Sequence, residues 1–155
     1  MNKKFLILLL ILVLIVSFFA AHKSIANNEI SQDNIKKIEE ETQACLDKGI
    51  TMHNCNYDAI NKYGIEIEKI LKKFKNKLSQ SQYKKLLISQ QKWEEFAKAN
   101  NELYSEIYDT IPATIVHLFG SQYKKQIYEN RLKELIELYN EYNVLLNEYD
   151  AKKYY

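Results

Sequence analysis

Glycine occurs three times in this 155-residue chain, proline once and cysteine twice. Sheet-rich folds draw on glycine and proline for the backbone angles of their tight turns, so this scarcity argues against them. Of the three histidines, His53 and His117 have no second ligand at metal spacing, and no metal site is expected. The acidic residues are scattered and nothing selects a pair that could act across a cleft. There is no Ser-His-Asp set and no glycine-rich phosphate loop. The chain therefore reads as a non-enzyme without a cofactor.

What is present begins with a leader. Asn2, Lys3 and Lys4 form a positive start, Phe5 to Ala21 is apolar except for Ser17, and Ser24-Ile25-Ala26 supplies small residues at the −3 and −1 positions. Residues 1–26 are read as a signal peptide cleaved after Ala26. The 17-residue apolar run also reaches the lower edge of the ~17–25 residues that span a bilayer, so an uncleaved anchor is the alternative. Either outcome places residues 27–155 outside the cytoplasm: the periplasm first, with a secreted or N-terminally anchored protein as alternatives. Membrane contact is expected only through an uncleaved leader. Losing Lys3, Lys4 and Lys23 takes the formal charge from +2 to −1. A near-neutral chain lacks the clustered charge that nucleic-acid binding rests on. Residues 27–155 have the size of a single domain with a real core.

Hydrophobic spacing predicts an all-α fold. A first helix is expected from about Glu29 to Ala44, carrying Ile30, Ile35 and Ile38. From Asn54, the positions Tyr57, Ile60, Gly64, Ile67, Leu71, Phe74 and Leu78 alternate by three and four, which puts them on one helical stripe. Ser79-Gln80-Ser81 offers N-cap hydroxyls for a third helix. Its stripe runs Tyr83, Leu86, Gln90, Trp93, Ala97, Asn100, Tyr104 and Ile107, widened by Leu87, Phe96, Leu103 and Tyr108. It should stop near Thr110, ahead of Pro112. Residues 113–119 read as one or two helical turns closed by Gly120. The last helix follows, with Tyr128, Leu132, Leu135, Tyr139, Tyr142, Leu146 and Tyr149 in register and Ile136 and Leu145 beside them. The expectation is an antiparallel bundle of about four helices.

Cys45 and Cys55 have only each other, and an oxidising compartment favours a disulfide over metal binding or a reactive thiol, the lesser alternatives. The bridge would join the first and second helices, and closing so short a loop is worth about 3 kcal/mol in the chain-entropy picture. It would also hold Leu46 to Thr51 as a constrained loop, suited to a partner's cleft because its ordering cost is already met. Asp47, Lys48, Ile50, Thr51 and Met52 are the candidate binding residues. Trp93 lies on a helical seam and reads as core. Gln90 and Asn100 share that seam and are expected to form hydrogen-bonded links between helices. Tyr154 and Tyr155 lie beyond the stripe and read as a frayed terminus.

Cys45, Thr51-Met52-x-x-Cys55, a long helix, and then Ser89-Gln90-Gln91-Lys92-Trp93 with Phe96 resemble the LprI-type lysozyme-inhibitor family of bacterial envelope proteins. That family's pattern runs Cys, Thr-x-x-Met-x-x-Cys, Leu-Asn-x-x-Tyr, Ala-Gln-Arg-x-Trp-x-x-Phe-Arg-Asp. Arg131-x-x-x-Leu135 looks like its closing Thr-x-x-Arg-x-x-x-Leu, so the likeness covers roughly residues 41–138. The resemblance marks Gln90, Trp93, Phe96 and Arg131 as structural motif positions. The chain departs from the pattern with Ile67-Glu68-x-x-Leu71 in place of Leu-Asn-x-x-Tyr, and with Ala97-Lys98 in place of Arg-Asp. The third family cysteine falls near Asn101 and no fourth exists, so the second family disulfide is absent. The resemblance implies a protein that binds lysozyme and blocks its peptidoglycan cleft. The alternative is a periplasmic or membrane-anchored helical adaptor with no lysozyme binding, pairing with another helix or a second copy through its tyrosine-rich last helix.

Overall fold

The computed structural model describes residues 32–110 and 114–152. They form α1 (Asp33–Asp47), α2 (Met52–Lys75), α3 (Gln80–Asp109) and α4 (Thr114–Lys152), and no strand occurs among the described residues. The leader, the predicted start of the first helix at Glu29, Pro112, and Tyr154 and Tyr155 lie outside them. Ser31–Tyr139 make one compact unit, and α4 from Asn140 onward falls in a separate one. Within the first unit, α3 and α4 run antiparallel: Gln90 meets Arg131, Trp93 meets Tyr128 and Tyr104 meets Tyr123. The all-α expectation and the cysteine bridge between the first two helices both hold.

Local signals set the helix ends. Ser79 caps α3 with a reciprocal box: its Oγ accepts from the Gln82 N–H at 3.3 Å, while Gln82 Oε1 accepts from the Ser79 N–H at 2.9 Å. Lys72, Lys73 and Lys75 occupy the last turn of α2, where the helix dipole favours cations. Beyond it, the amides of Lys77 and Leu78 both donate to the Phe74 carbonyl, turning the chain into α3.

The core is built around α2, whose buried residues are Cys55, Asn56, Ala59, Ile60, Tyr63, Ile67, Ile70 and Phe74. This face is rotated from the stripe expected of the sequence. Tyr57 is exposed and Leu71 and Leu78 are half-buried, while Ala59, Tyr63 and Ile70 take their place. Leu132, Leu135, Ile136 and Tyr139 of α4 are buried too, and Phe74 of α2 meets Tyr139 edge to face at 5.1 Å. Asn56 donates to Ser121 Oγ at 3.0 Å, a buried polar tie between α2 and α4.

Other expectations are corrected. Helix α1 continues to Asp47, three residues beyond the predicted end. Residues 113–119 are not a separate short element: α4 runs from Thr114 straight through Gly120. Glycine weakens a helix interior, yet α4 passes through Gly120 without a break; a Cβ there would meet the Tyr108 ring at 3.8 Å, an ordinary contact, so the position does not demand glycine. Leu87, Phe96, Leu103 and Ile107 are exposed rather than extending the core, because a helix at the edge of a bundle buries only a narrow stripe. Tyr149, predicted on the core stripe of the last helix, and Leu145, predicted beside it, are 70% and 64% exposed.

Polar contacts hold α1 to α2. Lys62 bonds Glu41 of α1 at 2.9 Å and Asp58 of its own helix at 2.6 Å, and Asn34 donates to Glu66 at 2.8 Å. The hydrogen bond from Lys62 holds the Glu41 carboxyl below its ordinary value of 4.5. Asp58, and then Glu41, push the Lys62 ammonium upward.

Two predictions follow from this packing. A carboxyl with a depressed folded-state pKa stabilises above its unfolded value and loses that contribution as pH falls through the folded one. Hydrogen exchange in α1 should therefore accelerate selectively in acid, and Glu41→Gln should remove the pH dependence; a dependence that persists in Glu41→Gln contradicts the pairing. Tyr63 is fully buried and its hydroxyl has no hydrogen-bond partner among the described residues, and burial pushes its pKa upward, with Glu129 and Glu39 adding to the effect. Stability tied to Tyr63 is intact below the ordinary value of 10 and lost as pH rises above it, since the unfolded chain ionises there and the folded one resists. Tyr63→Phe should raise thermal stability by about 1 kcal/mol and move alkaline unfolding to higher pH, as followed by circular dichroism.

Candidate functional site

The hairpin between α1 and α2 collects the candidate binding residues at one tip. Helix α1 ends at Asp47, the Gly49 amide donates to the Leu46 carbonyl at 2.9 Å, and Gly49 takes φ +75°, the left-handed angle that lets the chain reverse. Thr51 then adopts extended backbone ahead of α2, and its carbonyl accepts from the Cys55 amide at 3.2 Å. The Cys45–Cys55 disulfide closes the hairpin one turn back from the tip on each helix, with the two Cα atoms 5.8 Å apart. Cys55 is buried and Cys45 half-buried, so the bridge forms the floor under the loop. Asp47, Lys48, Ile50, Thr51 and Met52 all lie exposed above it, Ile50 and Met52 at 45% and 39%. The structure thus brings the five residues together on a short loop whose ends are fixed.

Next to the tip, a groove of about 430 Å³ opens between the start of α2, the end of α3 and the first turns of α4. His53 and Tyr57 supply its α2 wall, ring centroids 4.6 Å apart, and Lys124 of α4 lies over the Tyr57 ring at 5.1 Å. Tyr104 and Tyr108 form the α3 wall, and Glu102 and Glu106 add negative charge to it. Tyr104 stacks on Tyr123 at 3.9 Å. Its hydroxyl is pushed upward in pKa, first by a hydrogen bond with Tyr123. This tyrosine pair joins the end of α3 to the early turns of α4. Spacing placed Tyr104 on the stripe of the third helix and Tyr108 beside it but gave no signal that Tyr104 would pair across helices.

Gln90, Trp93, Phe96 and Arg131 do not share the tip. Arg131, 4% exposed, donates from Nε to Gln90 Oε1 at 3.0 Å and from an Nη to Glu134 at 2.9 Å. Its guanidinium lies 5.8 Å from the Trp93 ring, and Trp93 meets Tyr128 edge to face at 5.1 Å. Gln90 is therefore the inter-helix link that its position implied, and it also donates to Glu94 at 3.1 Å. Asn100 is not such a link: its amide donates to the Phe96 carbonyl of its own helix. Trp93 is half-buried rather than core, and Phe96 is 55% exposed, because both sit on the flank of α3 beside a groove that nothing fills. Among the described residues no cluster of His, Cys, Asp and Glu could hold a metal ion, and no helix is long and apolar enough to cross a membrane.

A family model described as lysozyme inhibitor LprI matches residues 38–135. No curated protein and no solved structure matches the chain. The matched stretch contains the whole stapled hairpin, both tyrosine walls and the Gln90–Arg131 link.

The two sites should respond differently to perturbation. Reducing the disulfide should lower stability by about 3 kcal/mol while far-ultraviolet circular dichroism keeps most of its helical signal, because the long helices carry the core. Gln90→Leu leaves the buried Arg131 charge short of an acceptor and should cost about 2–4 kcal/mol in chemical unfolding. A loss under about 0.5 kcal/mol would show that Arg131 is satisfied without it.

Proposed function

Because the match covers well over half of its length, the chain belongs to the LprI lysozyme-inhibitor family, and we propose that it is an exported envelope protein that binds lysozyme and blocks its peptidoglycan cleft. The observation that carries this reading beyond the family is the stapled tip. A blocking element must be exposed, apolar enough to displace water, and already ordered before it binds. Ile50 and Met52 meet the first two requirements, and the Cys45–Cys55 bridge with the Gly49 reversal meets the third. Glu102 and Glu106 flank the neighbouring groove, and their charge would speed encounter with a cationic lysozyme more than it tightens the complex. The protein acts by occupying a site, not by chemistry, as membership of an inhibitor family supports. Its place is the periplasm or the outer surface, where the bridge is stable.

A second reading, a helical adaptor that pairs through its last helix, draws on the exposure of Val144, Leu145 and Tyr149, at 56%, 64% and 70%. It predicts self-association and no effect on lysozyme.

The test is titration of the purified protein into a lysozyme turnover assay, with animal and bacterial enzymes. Inhibition that saturates near one equivalent is expected. Ile50→Asp with Met52→Asp should weaken it at least about tenfold, since a charge would have to be desolvated at the contact, whereas Leu145→Ser should leave it unchanged. Full turnover at micromolar excess against both enzymes removes the inhibitor reading, and equal potency of the tip variant removes the tip.

A further inference from the structure

The chain has one arginine and one tryptophan, Arg131 and Trp93, and both line the same groove between α3 and α4. This groove holds about 280 Å³. Tyr123, Ile127, Asn130 and Glu134, spaced by three and four, turn one face of α4 toward it, and Trp93 and Phe96 form its α3 wall. The lysozyme contact proposed above uses none of these residues.

Arg131 is the member that its surroundings leave incomplete. A guanidinium carries five N–H donors and a permanent charge, and burying it is costly unless the charge is paired and the donors are filled. Arg131 is only 4% exposed. Its Nε donates to Gln90 and its Nη1 to Glu134, whereas Nη2 is buried without a hydrogen-bond partner among the described residues. The Glu134 side chain is 66% exposed, and water weakens the compensation that so exposed a carboxylate supplies. The fork is therefore partly unused and short of negative charge, at the side of an open groove.

Both deficits have one chemical remedy. A carboxylate bonds an arginine through two parallel N–H···O contacts, and one that took the place of the Glu134 carboxylate would span Nη1 and Nη2 together. The rest of the groove describes what carries that carboxylate. Trp93 is half-buried and Phe96 is 55% exposed, so aromatic surface is open to an apolar face, while Gln126 and Asn130 present exposed amides that both donate and accept. An acetamido sugar matches this set: its ring has an apolar side, and hydroxyl and amide groups stand around its rim. The volume lies just below the ~300–1,000 Å³ usual for ligand pockets, which suits a single ring rather than a strand.

We propose that this groove binds a carboxylate-bearing acetamido sugar of the muramic kind, with its carboxylate on the Arg131 fork and its ring against Phe96 and Trp93. Glu134 holds the fork until the sugar displaces it, which costs little because an exposed ion pair is worth little. Sugars of this class are building blocks of peptidoglycan. Their supply to the protein rests on the exported reading, whereas the binding itself depends neither on the tip nor on lysozyme.

Because each residue is unique in the chain, the fluorescence of Trp93 and the Nε–H resonance of Arg131 in nitrogen-15 spectra report on this groove alone. The probe is N-acetylmuramic acid. N-acetylglucosamine, the same ring without the lactyl carboxylate, and lactate, the carboxylate without the ring, serve as its two halves. With the purified, oxidised protein, N-acetylmuramic acid should move both signals and saturate with a Kd on the order of 1 mM. Each half should bind at least about tenfold more weakly. Arg131 is buried and its loss endangers the fold, so the test variant is the exposed Glu134→Gln. Removing the competing carboxylate should tighten binding about threefold with circular dichroism unchanged. The proposal is overturned if neither signal responds at about 10 mM probe, if N-acetylglucosamine binds equally well, or if Glu134→Gln leaves the affinity unchanged or lower. Lysozyme is absent throughout, so failure here leaves the inhibitor reading standing.

Discussion

The Cys45–Cys55 bridge is the constraint on which this structure's exposed end depends, because α1 has so little else to hold it. That helix has 15 residues and buries only three of them, Ile35, Ile38 and Thr42. An isolated helix of that length is marginal in water, and its polar ties to α2 through Lys62 and Asn34 are exposed. The bridge fixes its C-terminal end to the buried start of α2, whose position Asn56 secures against α4. Through that sequence of contacts the four-residue loop inherits the rigidity of the whole core.

Farther from the tip, the bundle is held by two kinds of contact. Apolar contact between α2 and α4 includes the Phe74–Tyr139 ring pair, with Leu132 and Leu135 buried on the same helix as Tyr139. Between α3 and α4 the contacts are more polar: the Arg131–Gln90 hydrogen bond with its tryptophan neighbour at mid-helix, and the Tyr104–Tyr123 stack near the far end. Near Asn101, where the third cysteine of the family pattern falls, the Tyr104–Tyr123 pair brings α3 and α4 together.

Legibility in the sequence followed locality. The Ser79 cap, the cysteine pair and the exposed loop were readable because each depends on a few adjacent residues and on compartment chemistry. Gln90 was readable as a link because a polar residue on an apolar seam needs a partner, although Arg131 came only with the family pattern. The face of α2 was misjudged because Tyr57 and Leu71 make one plausible stripe, Tyr63 and Ile70 make another a fraction of a turn away, and only the neighbours decide between them. Gly120 read as a stop because glycine is a poor helix former, whereas α4 runs on through it to Lys152.

The account's central claim is that one stapled corner makes the contact with lysozyme. The most direct measurement is amide hydrogen exchange of the oxidised protein, alone and with saturating lysozyme. New protection concentrated between Asp47 and Tyr57, with the α2–α3 turn unchanged, is the predicted result. Protection confined to other helices, or none anywhere, would contradict it.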